Sequence, residues 1–113
     1  MNTMELLHKS GDGYLFTCKC RSCFKVAFGT FAIAVRREHL DSIMKEVEFQ
    51  LIHWKDRVNP AEKSFFFPTD SPNVNLLMNY HDMEAFASLV SKGMLVMKAQ
   101  ELITVEDDED LDS

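Results

Sequence analysis

Three cysteines, Cys18, Cys20 and Cys23, fall within six residues, and the chain has no others. Thiolates this close can share a soft metal, exchange disulfides, or simply sit reduced in a turn. Lys19, Arg21 and Lys25 are interleaved with them, and nearby positive charge favours the thiolate. Zinc takes four ligands in a tetrahedron, commonly from two such cysteine turns. Only one turn exists here, so Cys18, Cys20 and Cys23 need a fourth donor. His8, which precedes the hairpin, is the first choice; His39, His81 or a residue of a second subunit are the others. A redox pair at Cys20 and Cys23 is a further reading. Such pairs normally open a helix, whose dipole lowers the first thiol's pKa, whereas Cys20-Arg-Ser-Cys23 leads into a strand pattern.

No other constellation offers catalysis. The four glycines are scattered, so no loop is built to cradle phosphate. The four histidines lack the spacing of a zinc-binding helix. Asp41 and Asp82 stand near histidines, but no nucleophile or oxyanion motif joins them. No catalytic or cofactor-binding residue is assigned, an enzyme is not expected, and the cofactor is either none or zinc.

The chain of 113 residues carries a net charge of −6. The length suits one domain with a core of its own, and nine Phe and seven Met supply much of it. The charge is uneven: residues 1–37 sum to +4 and residues 38–113 to −10. Six of the acids lie in Glu106–Asp112. A run of like charge repels itself, so residues 104–113 are expected to be a disordered tail behind a domain of residues 1–103. Net negative charge argues against nucleic acid, although Phe16, Phe24 and Phe28 alternate with bases. No apolar run approaches the roughly 20 residues of a membrane span. The amino terminus lacks the apolar stretch of a secretory signal, which points to the cytoplasm, where thiols stay reduced.

The elements that must hold these residues follow from periodicity. Strand patterns occupy 13–17, 23–28, 31–35, 63–67 and 74–78, with Lys19–Ser22 as the turn between the first two. Helical spacing follows twice. The first helix begins at Arg36 and buries Leu40, Ile43, Met44, Val47, Leu51 and Trp54 along one stripe. Phe49 and Ile52 point away from it: either Lys55–Asp70 folds back over them, or they meet a partner. The second helix is capped by Asn79 and buries Met83, Phe86, Ala87, Val90 and, further on, Met97. Lys92-Gly93 reads as its C-cap, with Met94–Ile103 a separate helix. The plan repeats at a shift of 43 residues, Phe31, Ile33 and Val35 falling on Val74, Leu76 and Met78. The fold expected is α+β: an antiparallel sheet of four to five strands with two main helices on one face, built from two ββα-like halves.

Cys20-x-x-Cys23, the Phe-x-Val-x-Phe-Gly of Phe24–Gly29, and the strand and acid-rich helix after it resemble a family of small uncharacterised bacterial proteins. That resemblance spans most of residues 13–103 and implies a cysteine pair on a hairpin followed by two strand–helix units. It implies no activity. Arg36 departs from it, standing where a Ser or Thr cap would be expected. The function expected is that of a small non-enzymatic binding protein. Its partner is a protein or a second copy of itself, met through Phe49 and Ile52; the alternative is zinc binding through the cysteine hairpin.

Overall fold

The computed structural model describes residues 4–57, 59, 61–63, 65–69, 71 and 73–112, with side chains through Ile103. Four strands come first: β1 (Met4–Lys9), β2 (Gly13–Cys18), β3 (Cys23–Phe28) and β4 (Phe31–Arg36). They pair antiparallel in chain order. Helix α1 (Arg37–His53) follows, then a hairpin of β5 (Phe65–Pro68) and β6 (Asn75–Met78), then α2 (Tyr80–Asp112). The fold is α+β, and hairpin-then-helix occurs twice, as β3–β4–α1 and β5–β6–α2. The second hairpin forms a two-stranded sheet of its own rather than extending the first.

Strand β1 is missing from the sequence expectation. Met4-Glu-Leu-Leu-His-Lys9 does not alternate, because the register slips between Leu6 and His8. A bulge of this kind adds a residue and breaks the period of two on which strand recognition depends. The other strands alternate as written. On the inner face Leu7, Leu15, Phe24, Val26, Phe28 and Val35 are buried, and they meet the helices there. Phe65, Phe67, Leu76 and Met78 bring the second hairpin into the same core cluster. The stripe of α1 faces this cluster as expected, with Leu40, Ile43 and Val47 buried and Met44, Leu51 and Trp54 packed beside them.

Helix α2 corrects the expectation of a break at Gly93. It runs on without a C-cap, and Met97 beyond the glycine is fully buried. The glycine serves packing instead. A Cβ at Gly93 would sit 2.3 Å from Leu15 Cδ2, so only a bare Cα lets α2 lie this close to β2. Its helix penalty of about 1 kcal/mol is offset by that contact. At the other end the capping expectation holds. The Asp82 N–H donates to Asn79 Oδ1 at 2.7 Å, and the Asn79 N–H donates back to Asp82 Oδ2 at 3.0 Å. This reciprocal pair satisfies two backbone donors at once.

Helix α1 has no side-chain cap at Arg36. Its first N–H, at Arg37, donates to the Ser22 carbonyl at 2.8 Å instead. The cysteine turn thus supplies an acceptor for the first of the N–H groups that the helix itself leaves unpartnered. Among the described residues no helix is long and apolar enough to cross a membrane. The acidic segment 104–113 lies outside the residues whose side chains are described.

Candidate functional site

The cysteines occupy the β2–β3 turn, held from several sides. The Arg21 N–H closes it on the Cys18 carbonyl at 3.0 Å, and Arg21 adopts φ 61°, a left-handed conformation that is costly for a residue with a Cβ. Its guanidinium donates to Gln100 Oε1 of α2 at 2.9 Å and reaches Glu5 Oε2 of β1 at 3.4 Å. The buried Thr17 hydroxyl donates to the Cys23 carbonyl at 3.2 Å. With Ser22 tied to α1, the turn is anchored to both helices and to the neighbouring strand.

Within it, Cys18 and Cys20 bring their sulfurs to 2.7 Å. Cys20 Sγ lies 2.8 Å from the Ser22 hydroxyl, which in turn is 3.9 Å from Cys23 Sγ. All three cysteines are free, Cys20 and Cys23 exposed and Cys18 half-buried. The Cys18 thiol is lowered to about 6. The Cys20 thiol hydrogen bond is the largest cause; partial burial opposes it, and backbone N–H groups of Cys23, Ser22 and Cys20 add to it. Hydrogen bonds to the charged form favour that form, so the turn is shaped around an anionic sulfur.

The histidines do not join the cysteines. His8 was the expected fourth zinc ligand, but β1 pairs with β2 so that His8 opposes Leu15. That is three residues from Cys18, roughly 10 Å at strand spacing. His39 Nε2 lies 3.3 Å from the Pro68 carbonyl, and His81 Nδ1 lies 3.5 Å from Glu84 Oε1. Among the described residues no three of His, Cys, Asp and Glu converge on a point that could hold a metal. The redox reading named Cys20 and Cys23, whereas the sulfurs in contact are those of Cys18 and Cys20.

A second surface lies beside the turn. The outer face of the four-stranded sheet is uncovered by any described element. Cross-strand rows run Lys9–Tyr14–Ala27–Ala32 and Leu6–Phe16–Lys25–Ala34, and Cys23 pairs with Arg36 at the cysteine end. Tyr14 and Phe16 stack at 6.0 Å, and the Lys9 ammonium lies 5.6 Å from the Tyr14 ring centre. Leu6 is 46 % exposed and Tyr14 40 %. These rows contain three bases and no acid, within a chain of net charge −6. The alternation Gly13-Tyr-Leu-Phe-Thr-Cys18 is the signal that could have found this face, since it sends Tyr14, Phe16 and Cys18 the same way. The sequence expectation grouped Phe16 with Phe24 and Phe28, but those two are buried on the inner face.

Phe49 and Ile52 stand clear of both surfaces, 59 % and 80 % exposed. The described residues of the segment after α1 leave them exposed. Its Phe65 ring packs on Trp54 instead, at 6.4 Å. Phe49 stacks on His53 of its own helix, at 5.8 Å.

The pattern of a family described as "Family of unknown function (DUF6686)" matches residues 1–110. The chain belongs to that family. No curated protein and no solved structure matches it. The family match covers the cysteine turn, the open sheet face and both helices together, so the turn and the scaffold holding it lie within one family unit.

Proposed function

We propose that this chain is a small non-enzymatic binding protein whose recognition surface is the open face of the four-stranded sheet. One observation supports this above all. Leu6, Tyr14 and Phe16 are set among Lys9, Lys25 and Arg36, with no acid in those rows. An uncovered sheet face with large apolar side chains is where a partner gains most from excluding water. Bases around it select an acidic partner and repel a basic one. Residues 38–113 carry −10, so an acidic surface of a second copy fits this chemistry. Face-to-face pairing of two such sheets would set like charges against each other. The same −10 opposes a nucleic-acid strand, whose every phosphate it would repel. Three free thiols suit a reducing compartment such as the cytoplasm.

The test uses a fluorescent peptide of residues 104–113 and the full chain. Anisotropy should rise with the chain, weaken with added salt, and vanish in Lys25→Glu. No binding, together with a monomer in light scattering at low salt, overturns the reading. Tighter binding of a labelled single-stranded oligonucleotide than of the peptide overturns the choice of an acidic protein surface.

A second reading is zinc held by Cys18, Cys20 and Cys23. The backbone N–H groups turned on Cys18 favour it, because a metal-ligating cysteine must be a thiolate. The fourth ligand would come from a second copy. A zinc-to-protein ratio near zero after purification without chelator, with all three thiols titrating freely, removes it.

A further inference from the structure

We propose that the outer face of the helix layer binds a second copy of the chain, with α1 of one copy antiparallel to α1 of the other. This goes beyond the open-face reading and does not rest on it. The helices cover the inner face of the four-stranded sheet, so the two surfaces lie on opposite sides of the molecule.

The two helices of one chain are antiparallel. At the cysteine end the Arg37 N–H, at the start of α1, donates to Ser22, and Arg21 of the same turn reaches Gln100 far along α2. At the other end the Tyr80 hydroxyl, at the start of α2, donates to the Leu51 carbonyl at 2.9 Å. Between the helices runs a groove of about 480 Å³ lined by Met44 and Met94. Leu95 stands at its side, 66 % exposed. Arg37 and Lys98 line the groove at its cysteine end, and Glu48 lines it further along α1.

The charges name the occupant. Arg37, Asp41, Lys45 and Glu48 follow one another at helical spacing. They form a stripe roughly a third of a turn round from the buried Leu40, Ile43 and Val47. Arg37 is half-buried and the other three are exposed. Among the described residues none of the four is in an ion pair. Their signs alternate, plus, minus, plus, minus. Laid antiparallel on itself, this stripe sets Arg37 against Glu48 of the second copy and Asp41 against its Lys45. Both pairs share one centre, near residues 42 and 43, so a single register satisfies all four charges. A parallel arrangement sets like against like at every position.

Symmetry gives the same answer. A two-fold axis along the helices would lay α1 over α2 and bring Arg37 onto Lys98, which repel. An axis across the helices gives the antiparallel match, and each unlike pair then occurs twice. The 17 residues of α1 make the face about 25 Å long, and two helices make it about 20 Å wide. Two copies would bury roughly 1,000 Å² in all, the lower limit for a specific interface. The dimer is therefore reversible and salt-sensitive, and it leaves both open sheet faces outward.

The experiment is sedimentation of the full chain over a concentration series at low salt. The wild type should show a monomer–dimer equilibrium that weakens with salt. Glu48→Arg makes two like-charge contacts and should weaken the dimer roughly tenfold or more. Arg37→Glu combined with Glu48→Arg restores the alternation and should return the dissociation constant to within about threefold of wild type. Because the double variant carries the same Glu48→Arg change, its recovery separates lost pairing from lost folding. Lys25→Glu, on the open sheet face, should leave the dimer unchanged. A wild type that stays monomeric throughout the series overturns the proposal, as does a double variant no tighter than Glu48→Arg. A dimer lost in Lys25→Glu but kept in Glu48→Arg also overturns it and assigns association to the sheet.

Discussion

Replacing Gly93 with alanine tests how α2 is seated on the sheet. In an isolated helix the change is favourable by about 1 kcal/mol. Here the new methyl would meet Leu15 Cδ2 at 2.3 Å, with Leu15 Cγ at 3.3 Å and Cβ at 3.4 Å behind it. Leu15 is fully buried, so it cannot swing into solvent, and overpacking of a closed core costs about 1–3 kcal/mol. The clash therefore outweighs the propensity, and Gly93→Ala should destabilise by about 1 kcal/mol net. Leu15→Ala removes the obstructing atoms and by itself costs about 2–5 kcal/mol. In that background Gly93→Ala should change sign and stabilise by about 1 kcal/mol. Urea unfolding of all four members of the cycle measures this, with a coupling of about 2 kcal/mol expected between the two sites. If Gly93→Ala raises the midpoint in the wild-type background, the close approach of helix to sheet is wrong. The glycine would then be a helix defect without a packing purpose.

Two further outcomes follow from other parts of the structure. Burial pushes the Asp82 carboxyl up, but the Asn79 N–H and the Lys63 ammonium together hold its pKa below the ordinary carboxylate value. Its contribution is therefore present above about pH 5 and is lost as the pH falls through the depressed pKa. Asp82→Ala should cost about 1 kcal/mol at pH 7, and the loss relative to wild type should shrink in acid; a constant difference from pH 7 to 2 would contradict the capping account. Phe49→Asp combined with Ile52→Asp should leave the urea midpoint of the fold within about 0.5 kcal/mol, since exposed positions contribute little. If these residues also meet a second copy, light scattering will show a loss of dimer in the double variant; a wild-type monomer would remove that contact.

Local pattern made much of the scaffold legible. The strands other than the first, both helical stripes and the Asn79 cap follow from periods of 2 and 3.6 and from the chemistry of an N-cap. The recurrence of hairpin and helix was visible as well, because apolar spacing records which face of an element is buried. What failed was where neighbours override local rules. Met4–Lys9 hides its strand behind a bulge. Gly93 looks like a terminus but is a clearance for Leu15. The open sheet face was missed because net charge was summed along the chain, whereas the bases are sorted by side of the sheet: Lys9 on β1, Lys25 on β3 and Arg36 on β4 all project outward.

The residues alone determined that three thiols would lie at one turn between two strands, since the strand pattern of 13–17 stops just before them and that of 23–28 begins at the last of them. Which sulfurs would meet, and which one would carry charge, was decided only by folding. Strand register moved His8 roughly 10 Å from Cys18. The left-handed Arg21 and the backbone donors of Cys20, Ser22 and Cys23 set Cys18 beside Cys20. Distances of a few ångström between atoms are fixed by backbone torsions and by contacts from distant segments such as Gln100 and Arg37, and residue spacing does not encode either.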